Sequence, residues 1–170
     1  MQRRTCAAVL TLLCLLAPCA RGAEPPPRLS IPGSADRMIP AESLLGSDSR
    51  DVRLESSEGD VTVYHGLPLL EVLEKAGLDT RTMASERKSA PAVVVATARD
   101  GYSVAFSVGE LRMHRADPKV FLVAETAAGP LPGNEGPVRL IVYGDRARSA
   151  YALARIELRY LAGNPAPRAR

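Results

Sequence analysis

Beyond residue 19 the sequence has no cysteine. All three of its thiols, Cys6, Cys14 and Cys19, sit at the start of the chain. The remainder therefore has no disulfide framework, no cysteine nucleophile and no thiolate-bound metal. That suits an oxidising compartment, where a stray thiol is a liability. Histidine is almost as scarce, with only His65 and His114. A zinc site needs at least three protein ligands in one place, and no His/Asp/Glu spacing supports one. No Ser-His-Asp arrangement, Walker loop or dinucleotide fingerprint is present. No internal repeat is visible.

A lasting charge excess is missing too. The 170 residues carry 22 basic and 19 acidic side chains. The chain opens Met-Gln-Arg-Arg and runs into the apolar, uncharged stretch Thr5–Ala20. A basic start, a short apolar core and small residues after it describe a secretory signal peptide, residues 1–22. The apolar run falls short of the roughly 20 residues of a comfortable membrane span. An uncleaved membrane anchor is the alternative. Leu16-Ala17-Pro18-Cys19 faintly resembles a lipoprotein cleavage box, which Pro18 argues against. Cleavage after Gly22 removes Arg3, Arg4 and Arg21 and no acid, leaving 19 basic against 19 acidic residues. The case for nucleic-acid binding, which depends on neutralising phosphates, then lapses. A periplasmic or secreted location is expected, with no membrane span once the signal is removed. About 148 residues remain, enough for one domain with a full core.

What is present reads as many short strands and one good helix. Residues 23–50 hold a Pro-rich tether, a short edge strand at Leu29–Ile31 and one or two helical turns over Pro40–Leu45. Val52 and Leu54 alternate with Arg53 and Glu55, a strand with one wet face. Val61–Tyr64 is another short strand. Pro68 suits the first position of a helix and Gly77 the position just past its end. Leu69, Leu70, Leu73 and Ala76 make its buried stripe. Asp79–Pro91 is polar and unpatterned, a surface loop. Val93, Val94 and Val95 suggest a strand covered on both faces. Asp100-Gly101 signals a two-residue hairpin turn with both central φ angles positive. Tyr102, Val104 and Phe106 then alternate with Ser103 and Ala105, and Ser107 with Glu110 forms a capping box. Val120–Ala124 is a strongly apolar strand, and Thr126–Pro137 is turn-rich. Val138, Leu140 and Val142 alternate with Arg139 and Ile141. Ala147–Leu153 is a short bridge into a strand carrying Ile156, Leu158 and Tyr160. Residues 51–161 form the main domain and 162–170 a frayed tail. The class expected is α+β, a mixed β-sheet with short helices.

The order of motifs resembles the molybdopterin-binding domain of the sulfite oxidase family. The chain offers Gly66-Leu67-Pro68-Leu69, Asp100-Gly101-Tyr102, Gly129-Pro130-Leu131-Pro132 and Gly136-Pro137-Val138-Arg139, with Ala147–Leu153 at the family's last segment. The likeness covers about Arg53–Tyr160 and implies the sulfite-oxidase-like fold. It also departs from the family. The family's molybdenum-binding cysteine stands about ten residues before the Gly that opens the helix, where this chain reads Leu-Glu-Ser-Ser-Glu-Gly over Leu54–Gly59. A serine hydroxyl does not replace a soft thiolate. The family's Lys-Trp pair, near the pterin phosphate, is Tyr151-Ala152 here, and the long N-terminal portion that helps wrap the cofactor is missing.

The side chains left at that place are Tyr64, His65, Arg139 and Arg148, the candidate pocket for a small anion. Their proximity is implied by the resemblance alone. Arg139, Arg146 and Arg148 cluster around one strand and its following loop, and guanidinium groups there suit a carboxylate or phosphate. A solvated strand face is the other reading of Arg139, and a plain surface residue that of His65. Asp100 is a general base only if burial raises its pKa, and its place in a hairpin favours turn formation. The function expected is a small exported binding or accessory module without molybdenum or redox catalysis, needing no cofactor. Its partner is a small anionic ligand or a periplasmic or membrane protein. One alternative is a molybdopterin-dependent oxidoreductase or a subunit of one. Another is a periplasmic sensory or structural partner of a membrane protein.

Overall fold

The computed structural model describes residues 24–56 and 58–161. The expected signal peptide and tail lie outside the described residues. Within them the class is α+β, built on two sheets rather than one. The first sheet runs β2 (Arg37–Met38), β1 (Arg28–Ser30), β10 (Leu153–Tyr160), β5 (Ala92–Ala98) and β6 (Ser103–Ser107). It is mixed, because β1 pairs parallel with β10 while its other pairings are antiparallel. The second is antiparallel throughout. It runs β3 (Arg50–Glu55), β4 (Val61–Pro68) and β7 (Val120–Thr126), with the short β8 (Gly129–Pro130) and β9 (Arg139–Val142) both beyond β7.

Several expectations change in three dimensions. The strand at Leu29 is internal rather than an edge, with β10 on one side and β2 on the other. Leu29, Ile39 and Leu44 join the same core as the later strands, so packing is continuous across residue 50. β5 alternates buried and half-buried positions, with one fully covered face instead of two. The polar stretch 79–91 contains a helix, α2 (Met83–Ser89). Its start is stabilised by a reciprocal cap: Ser85 N–H donates to Thr82 Oγ1 at 3.1 Å, and Thr82 N–H donates to Ser85 Oγ at 3.0 Å. The stretch has no apolar stripe, and the local signals of this helix are Thr82 and Ser85 at its start and the basic Arg87 and Lys88 in its last turn. The hairpin after β5 is not the two-residue turn. Only Gly101 has positive φ, at 89°, and Gly101 N–H donates to Ala98 O at 3.1 Å. This is a turn closed by a glycine bulge.

Helix α1 (Leu69–Lys75) forms where expected, with Pro68 as its cap rather than its first turn and Gly77 at φ 110° after its end. Leu69 and Leu73 are fully buried in the main core. α3 (Val108–Met113) is capped by Ser107 Oγ, which accepts from Glu110 N–H at 2.9 Å. The Glu110 carboxylate turns instead to Arg148. The crossing from β4 into α1 depends on Gly66, at a register shift against β7. A Cβ there would lie 2.0 Å from the Leu122 carbonyl oxygen, so only glycine lets the two backbones approach.

The second sheet is buried on both faces. Leu122, Leu140 and Val142 point into the large inter-sheet core, whereas Val52, Tyr64, Phe121, Val123 and Ile141 form a smaller cluster on the outer face. The sheet curls around this second cluster. Tyr143, just past β9, accepts a hydrogen bond from Arg53 N–H of β3 at 2.7 Å, although β4 and β7 separate the two strands in the sheet. Arg146 Nη2 likewise donates to Glu55 O at 2.6 Å.

Candidate functional site

The curl leaves a cleft of about 290 Å³ at its open end, whose lining includes Glu55, Tyr64, Glu135, Arg139, Arg146 and Tyr151. Arg139 is the centre of it. It stands on β9 opposite Val123, with its side chain on the outer face. It is 8% exposed, which removes the reading of a solvated strand face. Burying a guanidinium is costly unless it is paired and hydrogen-bonded, so its partners decide what the site is. Arg139 Nη1 donates to Tyr64 Oη and to Glu135 Oε2, each at 2.7 Å. The guanidinium carbon also lies 5.0 Å from the centre of the Tyr64 ring and 4.1 Å from that of Tyr151, within cation–π range. Among the described residues Arg139 Nε is buried with no hydrogen-bond partner. A guanidinium in the wall of a cleft, with a second arginine beside it, is the kind of group that suits an anionic ligand.

Of the four residues expected to share a pocket, the fold brings Tyr64 and Arg139 together and separates the other two. His65 follows Tyr64 on the strand and does not line the cleft. It faces its cross-strand neighbour Asp51, with Nδ1 3.0 Å from Oδ1. Arg148 sits in the short 3-10 helix Arg146–Arg148, outside the cleft lining, and is held by two carboxylates. Its Nε donates to Asp145 Oδ2 at 2.7 Å and its Nη1 to Glu110 Oε1 at 2.9 Å. The hydrogen bond from Arg148 holds the Asp145 carboxyl below its usual range, outweighing burial. Arg146, from the same basic cluster, does line the cleft.

Sequence reasoning missed Glu135 and passed over Tyr151 as a site residue. Glu135 lies four residues before Arg139, but a turn-rich loop hid that spacing. In the sequence Tyr151 stands out only as a departure from the Lys-Trp pair of the family it resembles. Asp100 is a turn residue, its Oδ1 accepting from Tyr102 N–H at 2.9 Å. His114 is exposed at the end of α3.

Ser56 lies at the mouth of the same cleft, ten residues before Gly66. Its hydroxyl accepts from the backbone N–H groups of Glu58 and Asp60, each at 3.1 Å. That oxygen serves a turn.

No family model matches the chain, and no curated protein matches it significantly. Among the described residues no helix is long and apolar enough to cross a membrane.

Proposed function

We propose that the chain is a small exported binding or accessory module on a molybdopterin-oxidoreductase-type fold, taking an oxyanion at Arg139 and carrying out no redox chemistry. The observation that carries this reading is the largely buried Arg139 guanidinium in the wall of a cleft lined by a second arginine, Arg146. The order of motifs supports the fold, and the turn role of Ser56 supports a site that has lost its metal ligand. Glu135 already balances one charge, so the anion is held by the remaining donors of Arg139 and by Arg146. Tyr64 and Tyr151 keep the guanidinium in place. Each hydrogen bond between charged groups contributes about 1.5–3 kcal/mol.

The test is calorimetric titration of the purified protein with phosphate and with sulfate, alongside elemental analysis of protein made in a host that synthesises molybdopterin. Saturable binding that Arg139→Ala abolishes is the expected result. Stoichiometric molybdenum would overturn the reading in favour of a molybdopterin oxidoreductase. Binding unchanged in Arg139→Ala would move the anion elsewhere.

A further inference from the structure

The free edges of the two sheets are treated differently. β3 carries Arg50, Asp51, Arg53 and Glu55, and one of its backbone N–H groups is taken by Tyr143. β9 is covered by a bridge in which Leu140 and Ala150 exchange backbone hydrogen bonds of 2.8 and 3.0 Å. β2 and β8 are two residues long. These are the usual ways of closing a sheet edge against further strands: charge, cover or shortness. β6, Ser-Val-Ala-Phe-Ser, relies on neither charge nor shortness, and its neighbours Ala147 and Arg148 meet the Tyr102 hydroxyl and the Phe106 ring rather than the strand backbone. It has no charge and no proline, and among the described residues it ends the first sheet. Ser103, Ala105 and Ser107 are all exposed.

The ladder shows which backbone groups are open. Ala98 N–H donates to Tyr102 O at 2.8 Å, which makes that pair hydrogen-bonded. Alternation then makes Ala96/Val104 and Val94/Phe106 the next bonded pairs along the register. The N–H and C=O groups of Ser103 and Ala105, and the N–H of Ser107, therefore point away from β5.

We propose that β6 is a self-association edge, through which two copies of this chain pair antiparallel about a two-fold axis at Ala105. The occupant follows from the strand itself, which has the same character read in either direction. In that pairing Ala105 meets Ala105 of the second copy as a hydrogen-bonded pair, and Ser103 meets Ser107. Both side chains are small and uncharged, with Ser103 Oγ 3.0 Å from Thr97 Oγ1 and Ser107 Oγ capping α3, so nothing repels across that pair. Val104 and Phe106 continue the buried face of the sheet. No charge lies within the strand to oppose its copy. Gly101 and Gly109 fall opposite each other just beyond the pair and add no side chain there. An isologous contact of this kind closes at two copies and leaves no growing edge.

The experiment is sedimentation velocity of the purified protein from micromolar to millimolar concentration, paired with amide hydrogen exchange at both ends of the range. The expected result is reversible dimerisation, with the Ala105 amide protected only when concentrated and the Val104 amide protected throughout. Ala105→Lys puts two like charges face to face at the axis and should weaken association about tenfold or more. Ser103→Lys combined with Ser107→Asp keeps an N-cap and places opposite charges across the pair, so it should still dimerise. That double variant separates loss of the contact from loss of the fold. A single-copy mass at every concentration would overturn the proposal. So would association that Ala105→Lys leaves intact, or protection of the Ala105 amide that does not depend on concentration, the sign of some other strand on the edge.

Discussion

Arg139 and Leu140 are neighbours on one strand and face two different interiors. The Leu140 face is dry, packed against the first sheet and α1 with the fully buried Leu122 beside it. The Arg139 face is buried too, but a curl of the same sheet does the covering and leaves one end open. Burial alone thus does not distinguish a core from a site. What distinguishes them is whether the buried atoms have all found partners. Leucine asks for none, while Arg139 has two oxygens and two rings and still lacks a partner for Nε.

The largest effect should come from breaking the dry side. Leu140→Ala should destabilise the protein by about 2–5 kcal/mol, a buried-leucine truncation with its cavity. Ile141→Ala, on the outer face, should fall at or below the lower end of that range, because the smaller cluster beside an open cleft can relax into the gap. Denaturant melts of the two variants check this, and equal losses would mean that the faces are equally rigid.

Next in size is the polar side. Arg139→Ala should cost about 1–3 kcal/mol, since it strands the Tyr64 hydroxyl and the Glu135 carboxylate near a buried position. Tyr64→Phe should cost about 0.5–1.5 kcal/mol and weaken anion binding without abolishing it, as one hydrogen bond is lost while the ring contact stays. Thermal melts with and without phosphate separate the two contributions.

A third contrast is a buried charge that is fully tied. The Glu74 side chain on α1 is 8% exposed, comparable with Arg139 at 10%. Burial pushes its pKa up, but hydrogen bonds from Arg115 and Thr80 outweigh it and hold the carboxyl below its usual value. A lowered folded pKa gives stability that is complete above the unfolded value and lost as pH falls through the folded one. Glu74→Gln should therefore cost about 1–2 kcal/mol at neutral pH. The gap to wild type should close as pH falls below the ordinary carboxylate range. A gap that does not depend on pH would show that packing, not charge, is what Glu74 supplies.

How much of this was legible beforehand depended on the range of the interaction. Local signals worked: Ser107 caps α3, and the α1 stripe is buried. Single-strand alternation failed where the sheet curls, because Arg139 sits in a position that would be wet in a flat sheet. Nothing in the order of residues showed that Tyr143 would reach Arg53. The two-sheet division was equally hidden, since β10 joins β1 and β5 from the far end of the chain. The pocket of four residues failed for a related reason. Adjacent strand residues point to opposite faces, so Tyr64 and His65 could not both enter it.

Arg148 is the finest test of the contrast between the two faces. It was expected beside Arg139, is nine residues from it in sequence, and is also arginine. Its surroundings are the opposite. Its side chain is 37% exposed, as are its partners Glu110 and Asp145 to nearly the same degree, and both carboxylates already occupy its donors. An exposed ion pair contributes little, because water screens it and ordering long side chains offsets the gain. Arg148→Ala should change stability by about 0–1 kcal/mol, with some loss of packing where the guanidinium lies over the Phe106 ring. It should leave phosphate binding at Arg139 unchanged within error. Calorimetry on Arg148→Ala and Arg139→Ala side by side makes the comparison. If Arg148→Ala also abolished binding, the anion would be held jointly by the two arginines, and the outer-face cleft would not be a complete site.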